Sequence, residues 1–247
     1  GDKAAKVAYA GFDWDSETLR AKMEAASAQL AVLAQEPKTL SPGKYRVFLS
    51  PVAVYAFLGL LGWGGFGLKS HRTKQTPLLR MMEAGATLHP ALTLRENTAA
   101  GVAPNFDSQG FRKPDDVTLI AGGAYRDCLV SPRSAQEYGV PTNGASTDEA
   151  PESLDIAAGD LPADHALERL DTGVLINNVW YLNYSDPPAG RITGMTRFAC
   201  FWVEGGQIAA PLNVMRFDET IYRAFGDNLV GLTVEREMIL DSSSYGG

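Results

Sequence analysis

The most apolar stretch of the chain is residues 51–67, PVAVYAFLGLLGWGGFG. It follows a β-type run at 45–49, and the proline at its start suits the first turn of a helix. Because residues 52–61 are almost wholly apolar, we expect this helix to be buried on all sides. The run is about half the ~20 residues of a membrane span, so the pattern predicts a core helix. It carries no Asp, Glu, His, Cys, Lys or Arg and therefore no obvious catalytic group.

Two hairpins have the same design, VTLIA-GG-AYRDCLV at 117–130 and RFACFWVE-GG-QIAAPL at 197–212. Gly-Gly supplies the positive φ angles that a tight two-residue turn requires. A long strand is predicted at 174–184, and the helices are too few for parallel crossovers. The predicted class is α+β, with antiparallel sheets built from Gly-Gly hairpins and a few packed helices.

The remaining elements are predicted from weaker patterns. A helix capped by Ser16 carries Leu19, Met23, Ala26, Leu30 and Leu33 on one stripe, and Pro37 ends it. We therefore divide the chain into an N-terminal helical segment, 1–40, and an α+β domain, 41–247. Short helices are expected at 77–84 and 163–170, strands at 91–94 and 231–239, and mostly loop at 131–158. Asp218 is the expected cap of a last helix, with Ile221 and Phe225 on one face.

Composition and charge narrow the function. The 247 residues carry a net charge of -7, which argues against broad nucleic-acid binding. The basic cluster Lys69, His71, Arg72, Lys74 and Arg80 is interpreted as a solvated loop face. The sequence shows no signal peptide and no membrane segment, and we expect a cytoplasmic protein.

The two cysteines, Cys128 and Cys200, are expected to be reduced and buried in apolar runs.

Candidate chemistry is sparse. Gly62, Gly64 and Gly67 satisfy G-x-G-x-x-G, but no amphipathic helix follows, so close packing in a tight turn is the preferred interpretation over a dinucleotide site. No histidine has a partner at zinc-ligand spacing, although a site assembled from His71, His89 and Cys128 stays open. Asp115-Asp116 and Asp148-Glu149 are interpreted as charged loop tips, with paired catalytic carboxylates as the alternative.

Five segments, in this order and spacing, resemble the C-terminal part of the TldD/PmbA (TldE) family. They are SPGKYRVFLSP (41–51), NFDSQG (105–110), TLIAGGAYRDCLV (118–130), PTNGA (141–145) and FWVEGGQIAAPL (201–212). The family consists of peptide-processing metalloproteases, also called modulators of DNA gyrase. The resemblance gives no counterpart of the family's separate N-terminal domain, so we expect a fragment or a shortened member.

The resemblance also shows what this chain lacks. The TldD branch carries His-Glu-x-x-x-His on the helix after the strand, plus a distant Cys, to hold zinc. Counted from Pro51, these positions are Gly59, Leu60 and Gly64, and Cys200 does not match the family's Cys position. Glycine and leucine can neither hold the ion nor take a proton from its bound water.

The resemblance therefore implies the metal-free PmbA/TldE branch, whose partner is a zinc-bearing TldD-like subunit. We expect no cofactor and no catalytic residue in this chain, zinc in the partner alone, and an unfolded or extended peptide held by strand addition. No nucleic acid and no membrane is expected as a partner, and self-association of the isolated chain stays open. The alternatives are a stand-alone peptide- or ligand-binding β module and a divergent hydrolase with another constellation.

Overall fold

The structure, a computed structural model, describes residues 3–101 and 103–240 and confirms the predicted α+β class. The helices are α1 (Ser16–Leu33), α2 (Pro51–Gly65), α3 (Leu68–Arg72), α4 (Leu79–Ala84), α5 (Pro132–Tyr138) and α6 (Ala166–Leu170). The strands are β1 (Val47–Leu49), β2 (Leu94–Glu96), β3 (Val117–Ala121), β4 (Ala124–Tyr125), β5 (Leu154–Ile156), β6 (Gly173–Asp186), β7 (Arg191–Glu204), β8 (Gln207–Pro211) and β9 (Arg216–Thr220). A 3₁₀ turn (Ala163–His165) precedes α6, and a π-helical segment (Arg223–Asp227) follows β9.

The strands form two sheets. The larger sheet has the order β1-β6-β7-β8, with β9 also paired to β7, and the smaller one has the order β4-β3-β2-β5. Both Gly-Gly hairpins are confirmed, and their glycines have φ of 56° and 75° (Gly122, Gly123) and 56° and 74° (Gly205, Gly206). These values are those of the two-residue turn whose twist matches a hairpin.

One strand pair is parallel, which the sequence did not predict. β1 pairs with β6 in the register Val47↔Val174 to Leu49↔Ile176. No tight turn joins β1 to β6, and these two strands run parallel, whereas the other strand pairs of the described chain are antiparallel as predicted.

The larger sheet is covered on both faces. α2 lies on one face, where Ala53 packs with Val174 and Cys200. On the other face Leu33 of α1 and Leu170 of α6 belong to one buried cluster. The largest core lies between the two sheets and contains α2, α4 and the inner side chains of β2 and β3. None of the helices in the described residues combines the length and apolar composition of a membrane span.

Helix α1 forms where it was predicted, but it ends at Leu33, ahead of Pro37, and its cap and packing also differ from the prediction. Asp15, not Ser16, is the N-cap, and its carboxylate accepts the backbone N–H groups of Glu17 and Thr18 at 2.9 and 3.2 Å. Met23 and Leu30 of the predicted apolar stripe are exposed, and only Leu33 is buried. The spacing of apolar residues predicted the helix and the face that Leu33 shares, but not how much of that face is covered.

Other local predictions were wrong or shifted. The segment 131–158 is mostly loop as predicted but also contains α5 and β5, and the strand predicted at 91–94 begins only at Leu94. Asp218 lies inside β9, and Thr220 accepts the backbone N–H of Arg223 where the last helical turn begins. Residues 231–239 form no strand; the isolated parallel bridge Leu161↔Thr233 is their one β contact in the described chain.

Candidate functional site

Helix α2 presents an open face to solvent. Ser50 caps it by accepting the backbone N–H of Ala53, and Pro51 occupies the first turn as predicted. The helix is not buried on all sides as the apolar run suggested: Val52, Tyr55, Gly59 and Trp63 are exposed. Their spacing follows one helical face, which therefore remains uncovered although it is apolar.

This open face forms the floor of a groove of about 1400 Å³, called here the α2 groove. One side is formed by α3 and the turn after it, through Lys69, Ser70, Thr73 and Gln75. A second side, called here the β5 wall, is the segment 147–157, which includes β5. Residues of the segment 232–240, called here the strap, line a further side.

The three positions of the absent zinc motif lie at different places relative to the α2 groove. Gly59 lines the groove, and a Cβ built there would have no atom within 4 Å. Gly64 also lines it and has φ of 77°, within a break of α2 at Trp63 and Gly64. Leu60 is buried in the main core. Neither the two glycines nor the leucine has a donor atom for a metal, so these residues do not fit zinc.

The break in α2 lets Gly59 and Gly64 line the same groove. On a straight helix, positions five residues apart lie about 140° apart around the axis. Gly59 and Gly64 nevertheless both line the groove, with the non-helical residues Trp63 and Gly64 between the regular part of α2 and α3.

The β5 wall contains a free strand edge. β5 pairs with β2 through bonds such as Asn97 N–H to Ser153 O at 2.9 Å and Ala157 N–H to Thr93 O at 3.0 Å. Along an antiparallel strand, successive residues direct their backbone N–H and C=O groups to opposite sides. Ser153 and Ala157 bond to the β2 side, so the backbone groups of Leu154 and Ile156 point away from β2. In the described chain β5 pairs with no strand on that side. An edge of this kind is a template for an added strand.

Two buried carboxylates hold this wall in place. Glu96 accepts the backbone N–H groups of Glu152 and Ser153 at 3.0–3.2 Å. Burial raises the pKa of Glu96 above its usual range, and the same two hydrogen bonds oppose that shift. The side chain of Glu96 therefore fixes the wall to the end of β2. No motif in the sequence marks this residue.

Glu149 makes the second attachment. Its carboxylate accepts the backbone N–H of Lys69 at 2.8 Å and both the N–H and the hydroxyl of Ser131 at 2.9 Å. Glu149 is 3% exposed, so the interpretation of Asp148-Glu149 as a solvated loop tip is wrong for this residue. Asp148 and Glu149 both line the α2 groove, but the carboxylate of Glu149 is already engaged by Lys69 and Ser131.

The other acidic pair, Asp115-Asp116, lies away from the groove. Asp116 is 3.5 Å from a guanidinium nitrogen of Arg95 and accepts the hydroxyl of Thr118. These are contacts of a surface turn, and neither aspartate lines the α2 groove.

The glycines of the G-x-G-x-x-G match serve packing. A Cβ at Gly67 would lie 2.9 Å from the Cβ of Glu149, and one at Gly62 would lie 3.3 Å from Pro151. The residues before Gly62 are helical, whereas a dinucleotide motif follows a strand. The close-packing interpretation agrees with these contacts.

The structure brings His71 and Cys128 near the same tyrosine but does not assemble the open alternative with His89. His71 is buried rather than part of a solvated face, and its Nε2–H donates to Gly65 O at 2.7 Å. Its Nδ1 lies 3.4 Å from the hydroxyl of Tyr125, while His89 accepts the backbone N–H of Ala91. Residues 3–101 and 103–240 contain no group of three or more His, Cys, Asp and Glu side chains placed to bind one metal ion.

Burial dominates the protonation of the remaining reactive groups. It lowers the pKa of His71 below its ordinary value. It raises the pKa of the thiols of Cys128 and Cys200, both of which are free and buried as predicted. Two neutral, buried thiols are poor nucleophiles and poor metal ligands.

The family described as PmbA/TldA metallopeptidase C-terminal domain matches residues 42–246. A comparison with curated proteins gives no significant match.

Solved structures share the fold. A protein from Thermotoga maritima, described as a candidate modulator of a DNA gyrase, has a TM-score of 0.69 at 17% identity over 91% of this chain and 53% of its own. TldE from Thermococcus kodakarensis has a TM-score of 0.70 at 16% identity, over 84% of this chain and 48% of its own. A candidate modulator of DNA gyrase from Bacteroides thetaiotaomicron has a TM-score of 0.65 at 17% identity, over 84% and 45%.

The chain spans about half the length of these solved structures, and at such identities the likeness shows the fold alone. The family match carries the assignment further, because it covers most of the sequence and includes α2, β5 and the strap up to its last described residue. The chain belongs to the PmbA/TldA metallopeptidase family, and the matching part is that family's C-terminal domain.

Proposed function

We propose that this chain is a metal-free, non-catalytic subunit, similar to TldE, of a two-component peptidase. In this proposal it holds an extended peptide in the α2 groove, and a TldD-like partner supplies the zinc-binding residues. The observation that carries the proposal is the groove face of α2, where Gly59 and Gly64 present no donor atom beside a free strand edge.

The peptide would be bound by backbone pairing. Leu154 and Ile156 direct their backbone groups to the open side of β5, where an extended segment can add as a strand. Because such pairing uses main-chain groups, it accepts many sequences, as a peptide-processing protein requires. The rigid wall, fixed by Glu96 and Glu149, would keep the peptide in one orientation for a partner's catalytic groups.

The space above Gly59 would take a side chain of the bound peptide. A Cβ at this position meets nothing within 4 Å, and the neighbouring exposed residues Tyr55 and Trp63 are aromatic. Aromatic side chains are enriched at protein contact sites because they bury large areas.

The subunit role is tested by reconstitution. The chain is co-expressed with a His-Glu-x-x-x-His protein of the same family from the same genome, and zinc content and hydrolysis of reduced, carboxymethylated α-lactalbumin are measured. We expect hydrolysis by the pair, none by this chain alone, and no stoichiometric zinc in this chain. Zinc bound near stoichiometrically by side chains of the isolated chain, or peptidase activity without the partner, would contradict the proposal.

The groove is tested separately with two variants at one position. Gly59→Leu fills the open space, whereas Gly59→Ala adds one carbon and serves as the control for folding. Overpacking of a site costs about 1–3 kcal/mol, so a fluorescent extended peptide should bind the Leu variant roughly tenfold more weakly. Equal affinity of the two variants and the unchanged chain would exclude the α2 groove as the peptide site.

A further inference from the structure

The strap, residues 232–240, lies beside the free edge of β5 and is held there in two different ways. Its first part is anchored through the backbone: Leu161 N–H donates to Leu232 O, Gly159 N–H to Thr233 O, and Val234 N–H to Leu161 O. Gly159 allows a close approach, since a Cβ there would lie 2.1 Å from Leu232 O. This anchor is tightly packed and fixes where the strap enters the groove.

Beyond Val234 the hydrogen bonds of the described strap all involve side chains. The carboxylate of Glu235 accepts the backbone N–H of Ala163 at 2.8 Å, and Glu237 pairs with Lys22 at 2.5 Å. The side chains of Glu235, Arg236 and Glu237 are exposed. Solvated ion pairs of this kind contribute about 0–1 kcal/mol each, so the polar contacts of this part of the strap are weak.

Arg236 occupies the position that an incoming peptide would need. Its Nη1 donates to Asp155 Oδ1 at 2.5 Å and to Ile156 O at 3.1 Å. Ile156 O is one of the outward-facing acceptors of the β5 edge. The carboxylate of Asp155 is oriented from its other side, because Asn97 donates to Oδ2 at 3.1 Å. A fixed carboxylate next to a free strand edge is a built acceptor for a cationic side chain.

We propose that the strap is a built-in, displaceable occupant of the α2 groove, and that a peptide carrying a basic side chain replaces Arg236 on Asp155. This inference rests on the proposed function, because it assigns a regulation and a side-chain preference to the same groove. The strap competes with peptide, and the fraction of molecules with a detached strap sets the apparent affinity. Arginine is favoured at the position that lies on Asp155.

The first test weakens the strap contact. Binding of two fluorescent peptides of equal length, one with a central Arg and one with Gln in its place, is measured by anisotropy for the full chain and for Arg236→Ala. Loss of one solvated pair predicts a gain in affinity of roughly twofold to fivefold for both peptides. Arg216→Ala is the matched control, since Arg216 forms a similar exposed pair with Asp218 and does not line the groove. It should leave both affinities unchanged.

The second test removes the acceptor. In Asp155→Asn the preference for the Arg peptide over the Gln peptide should disappear, whereas Asp218→Asn should retain it. Amide exchange gives an independent readout: binding of the Arg peptide to the unchanged chain should increase exchange in the strap segment 235–240 while protecting Leu154 and Ile156.

The outcomes separate this inference from the proposed function. If the peptide binds but Arg236→Ala shows no gain in affinity, or exchange in the strap does not increase, the proposed displacement of the strap is wrong and the groove is still a peptide site. Weaker binding in Arg236→Ala also overturns it, because Arg236 would then be part of the peptide site. Binding by Arg236→Ala alone supports an occluding strap. Absence of binding by the unchanged chain and every variant overturns both.

Discussion

Replacement by alanine should change the free energy of unfolding in opposite directions at Gly59 and Gly67, two glycines of the segment 51–67. Gly59 lies inside the regular part of α2, and a Cβ there meets nothing within 4 Å. Alanine in a helix interior is favoured over glycine by about 0.5–1 kcal/mol, because the unfolded glycine chain has more freedom to lose. Gly59→Ala should therefore stabilise the fold by nearly that full amount.

Gly67 has an ordinary extended backbone, φ -78° and ψ 135°, so alanine causes no conformational strain there. Its Cβ would instead lie 2.9 Å from the Cβ of Glu149 and 3.1 Å from its Oε2. Glu149 cannot move away easily, because its carboxylate accepts three hydrogen bonds and its own φ is 53°. Overpacking of this kind costs about 1–3 kcal/mol, so we expect Gly67→Ala to lose about 2 kcal/mol.

The measurement is urea unfolding followed by tryptophan fluorescence and circular dichroism. With a slope of about 3 kcal/mol per M, the midpoint should rise by about 0.2–0.3 M in Gly59→Ala and fall by about 0.7 M in Gly67→Ala. The slopes themselves should not change. A destabilised Gly59→Ala would mean that the space above this residue is filled, and a neutral Gly67→Ala would mean that Glu149 does not hold α3 as described.

Two further predictions concern buried ionisable groups. Glu96→Ala should destabilise the chain by about 2–3 kcal/mol, because two wall N–H groups lose their acceptor, whereas Glu96→Gln should stay within about 1 kcal/mol. The pKa of Glu96 is raised in the folded chain, so its contribution to stability is fully present below the pKa of the unfolded chain and is lost as the pH rises through the folded pKa. In urea titrations, the stability of Glu96→Gln relative to the unchanged chain should therefore be higher at about pH 7 than at about pH 4.5. The pKa of His71 is lowered in the folded chain, so its contribution to stability should be fully present above pH 6.5 and should be lost as the pH falls through the folded pKa. His71→Gln, which can still donate to Gly65 O, should flatten that pH dependence, and an unchanged slope would assign it to another group.

Local rules were sufficient where an element is defined by its own residues. The Gly-Gly turns fixed both hairpins, and Pro51 with the apolar run placed α2. They failed where the outcome depends on distant contacts. A strand was predicted at 231–239, yet in the described chain the one β contact of this segment is the bridge Leu161↔Thr233. Its later contacts are made by side chains, such as Glu237 with Lys22 and Arg236 with Asp155.

The site was predictable only in part for the same reason. The resemblance located Gly59, Leu60 and Gly64, but not that two of them line a groove while the third is buried. The β5 wall comes from a Pro-, Ser- and acid-rich segment whose composition predicts loop, and Glu96 reaches it across 56 residues of sequence. Asp155 and Arg236 are ordinary surface residues in the sequence, and their pairing exists only in the folded chain.

The parallel pairing of β1 with β6 has a consequence for biosynthesis. Ser50, at the start of α2, bonds Asn177 O, 127 residues further along the chain. At roughly 5–20 residues per second, a ribosome needs about 6–25 s to deliver that partner. During this interval the apolar helix has left the exit tunnel without the sheet that later covers it. Nascent chains of this protein should therefore engage hydrophobic-segment chaperones between the emergence of α2 and the completion of β6.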